Sequence, residues 1–249
     1  VGKNMSARQQ VMLPGQASAP GGPVDLVAMY MMHFALRRDL ANFLAAVQRT
    51  PPADTPTWIA LEQRWRRFGE ILHKHHSAED AGLWPLLQQR AAQAYDVHGL
   101  ETLRDMAQEH AGIDPLLAAC LDGFTSLARA FEASARDRLA HELAETARAL
   151  DWHLGHEERE AMALVQRHLQ HADWVAVEKR HFKTAYAPKE MPFMIAWVLS
   201  GLTDRDRERV RYAFGGRPID LVWRLFLRRG FERKESAAFR YVPQRVEPR

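Results

Sequence analysis

Four histidines fall on four separate helical stretches, and two of them carry a glutamate four residues on: His33, His75 with Glu79, His110, and His153 with Glu157. A helix turns about 100° per residue, so a residue four positions on is rotated by only about 40° and lies one turn along the same face. Each His-x-x-x-Glu pair therefore aims an imidazole and a carboxylate at one point. One histidine on an apolar face is ordinarily a hydrogen-bonded core residue. Four beside two carboxylates are not, because a buried carboxylate is costly unless it is paired or binds metal. Imidazole and carboxylate ligands without thiolate suit iron or manganese and also accept zinc.

Two neighbouring pairs share the spacing, His76 with Asp80 and His156 with Glu160. The apolar stripe separates them from the first set. Leu61, Trp65, Phe68, Leu72, Leu83 and Leu86 define one inward face that includes His75 and Glu79, with His76 at its edge, Asp80 further round and His73 pointing away. In the fourth stretch Leu139, Leu143, Thr146, Leu150, Ala161 and Leu164 favour His153 and Glu157 over His156 and Glu160. His33 falls among Leu26, Met29, Leu40 and Leu44, and His110 among Leu103, Met106, Leu117 and Leu121.

The elements that must position these residues are helices, expected near residues 24 to 49, 56 to 92, 99 to 131 and 135 to 171, with turn signals at Thr50-Pro51-Pro52 and around His98-Gly99. Asp114-Pro115 is expected to interrupt the third, as a kink or a restart capped by Asp114. Nearly half of the 249 residues are hydrophobic, enough to bury a core of this size. Residues 1 to 23, rich in Gly, Pro, Ser, Ala and Gln, read as a flexible lead-in. Residues 172 to 249 read as a further helical segment, with helices at Pro192 to Leu202, Thr203 to Phe214 and Pro218 to Arg229, a capping box at Thr203 and Asp206, and a sharp turn at Gly215-Gly216. From Arg205 onward this segment is basic, and Ile219, Leu221, Val222, Trp223, Leu225, Phe226 and Leu227 give it an apolar side, expected to pack on the bundle or to meet a protein partner.

Cys120, the single cysteine, excludes an intramolecular disulfide framework and a zinc-finger site. No run is long and apolar enough to span a bilayer and the N-terminus has no signal-peptide core, so a cytoplasmic location is the default. A net charge of +3 gives no argument for nucleic acid. Ferritin-like bundles use Glu-x-x-His and zinc proteases His-Glu-x-x-His. Here the paired ligands put histidine first at four-residue spacing, the nearest protease-like strings, at His141 and His156, lack the second histidine, and there is no P-loop.

With these residues in view, the chain resembles the haemerythrin-like HHE cation-binding domains. The matching text is His33 to Leu40 in the first helix, His75-His76-Ser77-Ala78-Glu79-Asp80 running into Leu83-Trp84-Pro85 in the second, Glu109-His110 in the third, and His153-Leu154-Gly155-His156-Glu157-Glu158 in the fourth, within residues 24 to 171. The resemblance implies an all-α, up-and-down four-helix bundle holding two non-haem iron ions, with both carboxylates bridging and the histidines capping each iron. Two positions depart from the pattern. Haemerythrins that carry oxygen have a second histidine one turn after the helix-three ligand, where this chain has Asp114, and Ala163 stands where many relatives have proline.

The expected metal ligands are thus His33, His75, Glu79, His110, His153 and Glu157. Tyr30 and Arg37, one turn either side of His33, are candidates for the rim of the centre, Tyr30 as a hydrogen-bond donor to a bound oxidant and Arg37 as an anchor for a carboxylate. Asp114 is read as orienting His110. With one histidine fewer than a carrier, both metals are expected to be accessible to O2, H2O2 or NO. That favours catalase-like peroxide decomposition or a related oxidative-stress role. The alternatives are a sensor or store for oxygen, nitric oxide or iron, and a metal-stabilised interaction module.

Overall fold

The computed structural model describes residues 9–210 and 221–243. Its long helices are α1 (Val27–Arg49), α2 (Thr55–Ala78), α3 (Trp84–Gln93), α4 (Val97–Arg129), α5 (Ala133–His156) and α6 (Met162–His168). A five-residue π turn, Glu79–Leu83, joins α2 to α3 without a break, and another, Glu157–Ala161, joins α5 to α6, so four rods run through the bundle. Each rod packs on the next and α5 closes on α1. Asp54 caps α2 by accepting Thr57 N at 3.2 Å, with Pro56 in the first turn, where no amide partner is needed. Asp96 caps α4 through Gly99 N at 3.0 Å.

The interior is layered. Phe43, Trp65, Phe68 and Phe124 form an aromatic cluster with ring centroids 4.9 to 5.8 Å apart. Ten residues separate Phe43 from His33, so this cluster lies about 15 Å along α1 from the histidine layer.

Several expectations change. Pro115 does not interrupt α4, which runs on through it. Pro115 and Ala111 are both exposed, so solvent can serve the Ala111 carbonyl that the proline deprives of a donor. Beyond the first π turn the buried stripe continues through Leu83, Trp84 and Leu87, and Leu86 is only half-buried, because the extra residue in the wide turn rotates the helix beyond it. Residues 9–23 are not a loose lead-in. Val11 and Leu13 are buried, Gln10 donates to Val24 O and accepts Leu26 N, and Ala17 N donates to Glu158 Oε2 at 2.7 Å.

The C-terminal extension contains α7 (His171–Val177), a π turn (Glu178–Phe182), α8 (Met191–Leu199), α9 (Asp204–Val210), a π turn (Trp223–Leu227) and α10 (Arg228–Ala238). Thr203 caps α9 by accepting Asp206 N at 3.1 Å. The extension is fastened to α1 and α2 by buried polar contacts. Trp197 Nε1 donates to Asp39 Oδ2 at 2.8 Å, Arg38 reaches Trp197 O and Ser200 O, and Arg64 bridges Asp39 and Glu235. Of the apolar residues expected to pack, Trp223 is buried, whereas Leu221, Val222, Leu225 and Phe226 are exposed. Ile219, the expected turn at Gly215-Gly216 and the helix ends at Phe214 and Pro218 lie outside the described residues. Among the described residues no helix is long and apolar enough to cross a membrane.

Candidate metal centre

His33, His75, Glu79, His110, His153 and Glu157 meet in the middle of the bundle, each 5% exposed or less. They do not meet at one point. Ligand atoms of His33, His75 and Glu157 form one group, and those of His76, His110 and His153 a second, the atoms of each group lying within 4.8 Å of one another. Glu79 lies between the two, with Oε1 3.3 Å from His75 Nε2 and Oε2 3.7 Å from His110 Nε2. Glu157 Oε2 is likewise 3.4 Å from His33 Nε2 and 3.7 Å from His153 Nε2.

His76 is the residue that the helical wheel missed. It is 4% exposed and its ring stacks on that of His110 at 3.9 Å and 8°. Being consecutive, His75 and His76 point about 100° apart, which suits two separate groups and would not suit one. Its shared spacing with Asp80 was the available signal. Asp80 is itself drawn in, accepting from His110 Nδ1 at 2.9 Å while remaining half exposed.

Carboxylates from neighbouring positions hold the other rings. Glu158, fully buried, accepts from His33 Nδ1 at 2.9 Å, and Glu109 accepts from His153 Nδ1 at 2.8 Å and His156 Nδ1 at 2.8 Å. An Nδ1–H donated to a carboxylate leaves Nε2 with a free lone pair facing the cluster. Arg37 reaches the rim only through Glu158, by Nη1 at 2.6 Å and Nη2 at 3.2 Å, and also holds Asp151. Tyr30 is buried and its hydroxyl makes no hydrogen bond. Asp114 does not orient His110: it is exposed, in a shallow surface hollow with His73, Glu70 and Leu117. His156 belongs to neither group.

The inward-facing atoms are left unsatisfied. Nε2 of His33, His75, His76, His110 and His153, and both oxygens of Glu79 and Glu157, are buried without a hydrogen-bond partner. At about 1–3 kcal/mol for each buried unpaired group the set would cost roughly 10–25 kcal/mol, as much as the whole stability of a domain, about 5–15 kcal/mol. Bound cations would satisfy every one of these atoms at once.

The electrostatics agree. Burial, then the adjacent Glu157, push Glu79 well above the usual carboxylate range. Burial acts on Glu157 in the same sense, but His33, His153 and His75 prevail and hold it down to about 2. Against its burial, His33 is raised to about 9 by Glu157 and Glu158. Burial, then His33, lower His75 to about 3, and burial and its imidazole neighbours lower His76 too. Neutral imidazoles are the form that binds a metal, so His75 and His76 stand ready for it, whereas His33 would release its proton as an ion enters. A cavity of about 1300 Å³ between α1 and the C-terminal helices is lined by none of these ligand residues.

Compared with known families, the chain matches the Hemerythrin HHE cation binding domain over residues 25–165. Searches of curated proteins and of solved structures found no match.

Proposed function

The chain belongs to the hemerythrin HHE cation-binding domain family, and from that premise we propose that it is a non-haem diiron protein that reacts with small oxidants, hydrogen peroxide first among them. The observation that carries this reading is the set of buried, unpartnered Nε2 and carboxylate oxygen atoms. His33, His75 and Glu157 would hold one ion and His76, His110 and His153 the other, with Glu79 between them. This donor set has no thiolate and suits iron, with manganese or zinc as substitutes. A pair of redox-active ions in such a site can exchange two electrons with dioxygen or peroxide.

The chain's own residues supply the rest. Glu158, Asp80 and Glu109 fix the orientation of His33, His110 and His153. Low exposure of the whole cluster excludes bulk water. The Tyr30 hydroxyl, one turn before His33 on α1, has no partner, and burial, then Glu158 and Glu157, raise its pKa, so it keeps its proton at neutral pH and can offer it to a small oxidant bound near His33.

One observation favours a second reading. Because His76 supplies a fifth imidazole, the chain is not short of a histidine, and the ligand-count reason against reversible binding falls away. A carrier or sensor of oxygen or nitric oxide is the alternative. Metal analysis and the visible spectrum of protein from iron-replete cells, followed by peroxide addition to wild type and His75→Ala, separate the two. About two irons per chain and oxygen evolution lost in the variant support turnover. Reversible, stoichiometric oxygen uptake without turnover supports the second reading, and zinc alone or no metal removes both.

A further inference from the structure

The C-terminal extension reaches the metal cluster itself. Its π turn Glu178–Phe182 packs on the π turn that begins at Glu79. The Phe182 ring is 6.2 Å from that of His75, and the His181 ring covers Gly82 so closely that a Cβ there would fall 2.5 Å from it. Tyr186 comes next, and its hydroxyl is buried with no hydrogen-bond partner. The ring is held in place: Lys74 Nζ sits 5.1 Å from its centroid, Glu190 accepts from Lys74 Nζ at 2.8 and 3.0 Å, and Glu190 Oε2 also accepts Ala187 N at 2.8 Å. Lys74 is adjacent to His75 in the chain, so this clamp ties the tyrosine to the rod that carries His75, His76 and Glu79. A tyrosine that merely packed here would turn its hydroxyl to solvent or to an acceptor, since leaving it buried and unpaired costs about 1–3 kcal/mol. Burial, then Glu79, raise its pKa, so the hydroxyl stays protonated at neutral pH.

Resting on the two-metal reading above, we propose that Tyr186 is a ligand-binding residue of the site, supplied from outside residues 25–165, and that its hydroxyl donates a hydrogen bond to a small anion held on the Glu79 side of the cluster. Tyr30, one turn before His33 on α1 and likewise buried with an unpartnered hydroxyl, is its counterpart on the other side.

The test is a titration of iron-loaded, full-length protein with azide, followed by visible absorption, for wild type, Tyr186→Phe and Glu190→Gln. Equal iron content in all three, azide binding about tenfold weaker in Tyr186→Phe, and a smaller loss in Glu190→Gln, which keeps the hydroxyl but loosens its clamp, are expected. Wild-type azide affinity in an iron-replete Tyr186→Phe protein overturns the proposal and leaves the metal reading standing. A wild type that takes up no iron fails the metal reading and the proposal with it. Should Tyr186→Phe not fold, unchanged azide affinity in Glu190→Gln overturns the proposal.

Discussion

His75 and His76 are neighbours in the chain, yet each serves a different group of ligands, and the consequence is measurable. His76→Ala removes one imidazole from the group that His110 and His153 complete. Bound metal is expected to fall from about two ions per chain to about one, by elemental analysis after desalting, whereas Asp114→Ala, on the exposed face of α4, is expected to leave it unchanged. Equal metal in wild type and His76→Ala would return the site to four imidazoles. Six of the seven cluster residues were legible from period and apolar stripe. The seventh was not, because a wheel drawn toward a single target discards a side chain 100° away, and two targets accept a wedge of directions. The carboxylates behind the rings were equally hidden. Glu109 follows the third helix's own pattern yet serves His153 on another rod, a pairing that only packing creates.

At the scale of elements, both glutamates of the cluster open a π turn. These wide turns recur at functional sites because an extra residue re-aims the side chains beyond it. Pro85 stands just after the first, and Ala163 holds the corresponding place after the second, so proline is not what makes the turn. The α-helical period cannot anticipate such a turn, which is why Leu86 was read as inward in place of Leu87. The first turn also gives the extension its seat. Gly82→Ala places a methyl against the His181 ring and is expected to lower stability by about 1–3 kcal/mol, as overpacking does. Adding His181→Ala should recover most of that in urea unfolding. A Gly82→Ala protein as stable as wild type would mean that the two turns are not in firm contact.

For the whole molecule, the link between bundle and extension is a buried ion cluster. Asp39 is fully buried, and although burial works against its charge, Arg64 and Arg38 hold it below its ordinary value of 3.8. Asp39→Asn leaves Arg64 with Glu235 alone and is expected to cost about 3 kcal/mol, since breaking a buried pair strands the other charge. A depressed carboxylate contributes stability that is complete above its unfolded pKa and is lost as pH falls through the folded one. The gap between wild type and variant should therefore hold from neutral pH to about 4 and close below it, as followed by urea unfolding at each pH. A gap that does not change with pH would remove Asp39 as the source. Periodicity made the extension readable as helices, but not its seat, because Asp39 and Arg64 look like ordinary surface charges until α8 and α10 cover them. The hydrogen bond from Ala17 to Glu158 carries this coupling to the other end of the chain. It makes the centre poorly portable: excised as a free-standing unit of residues 25–165, the four rods would travel, but the strap that seats His33's carboxylate and the tyrosine clamped by Lys74 and Glu190 would stay behind.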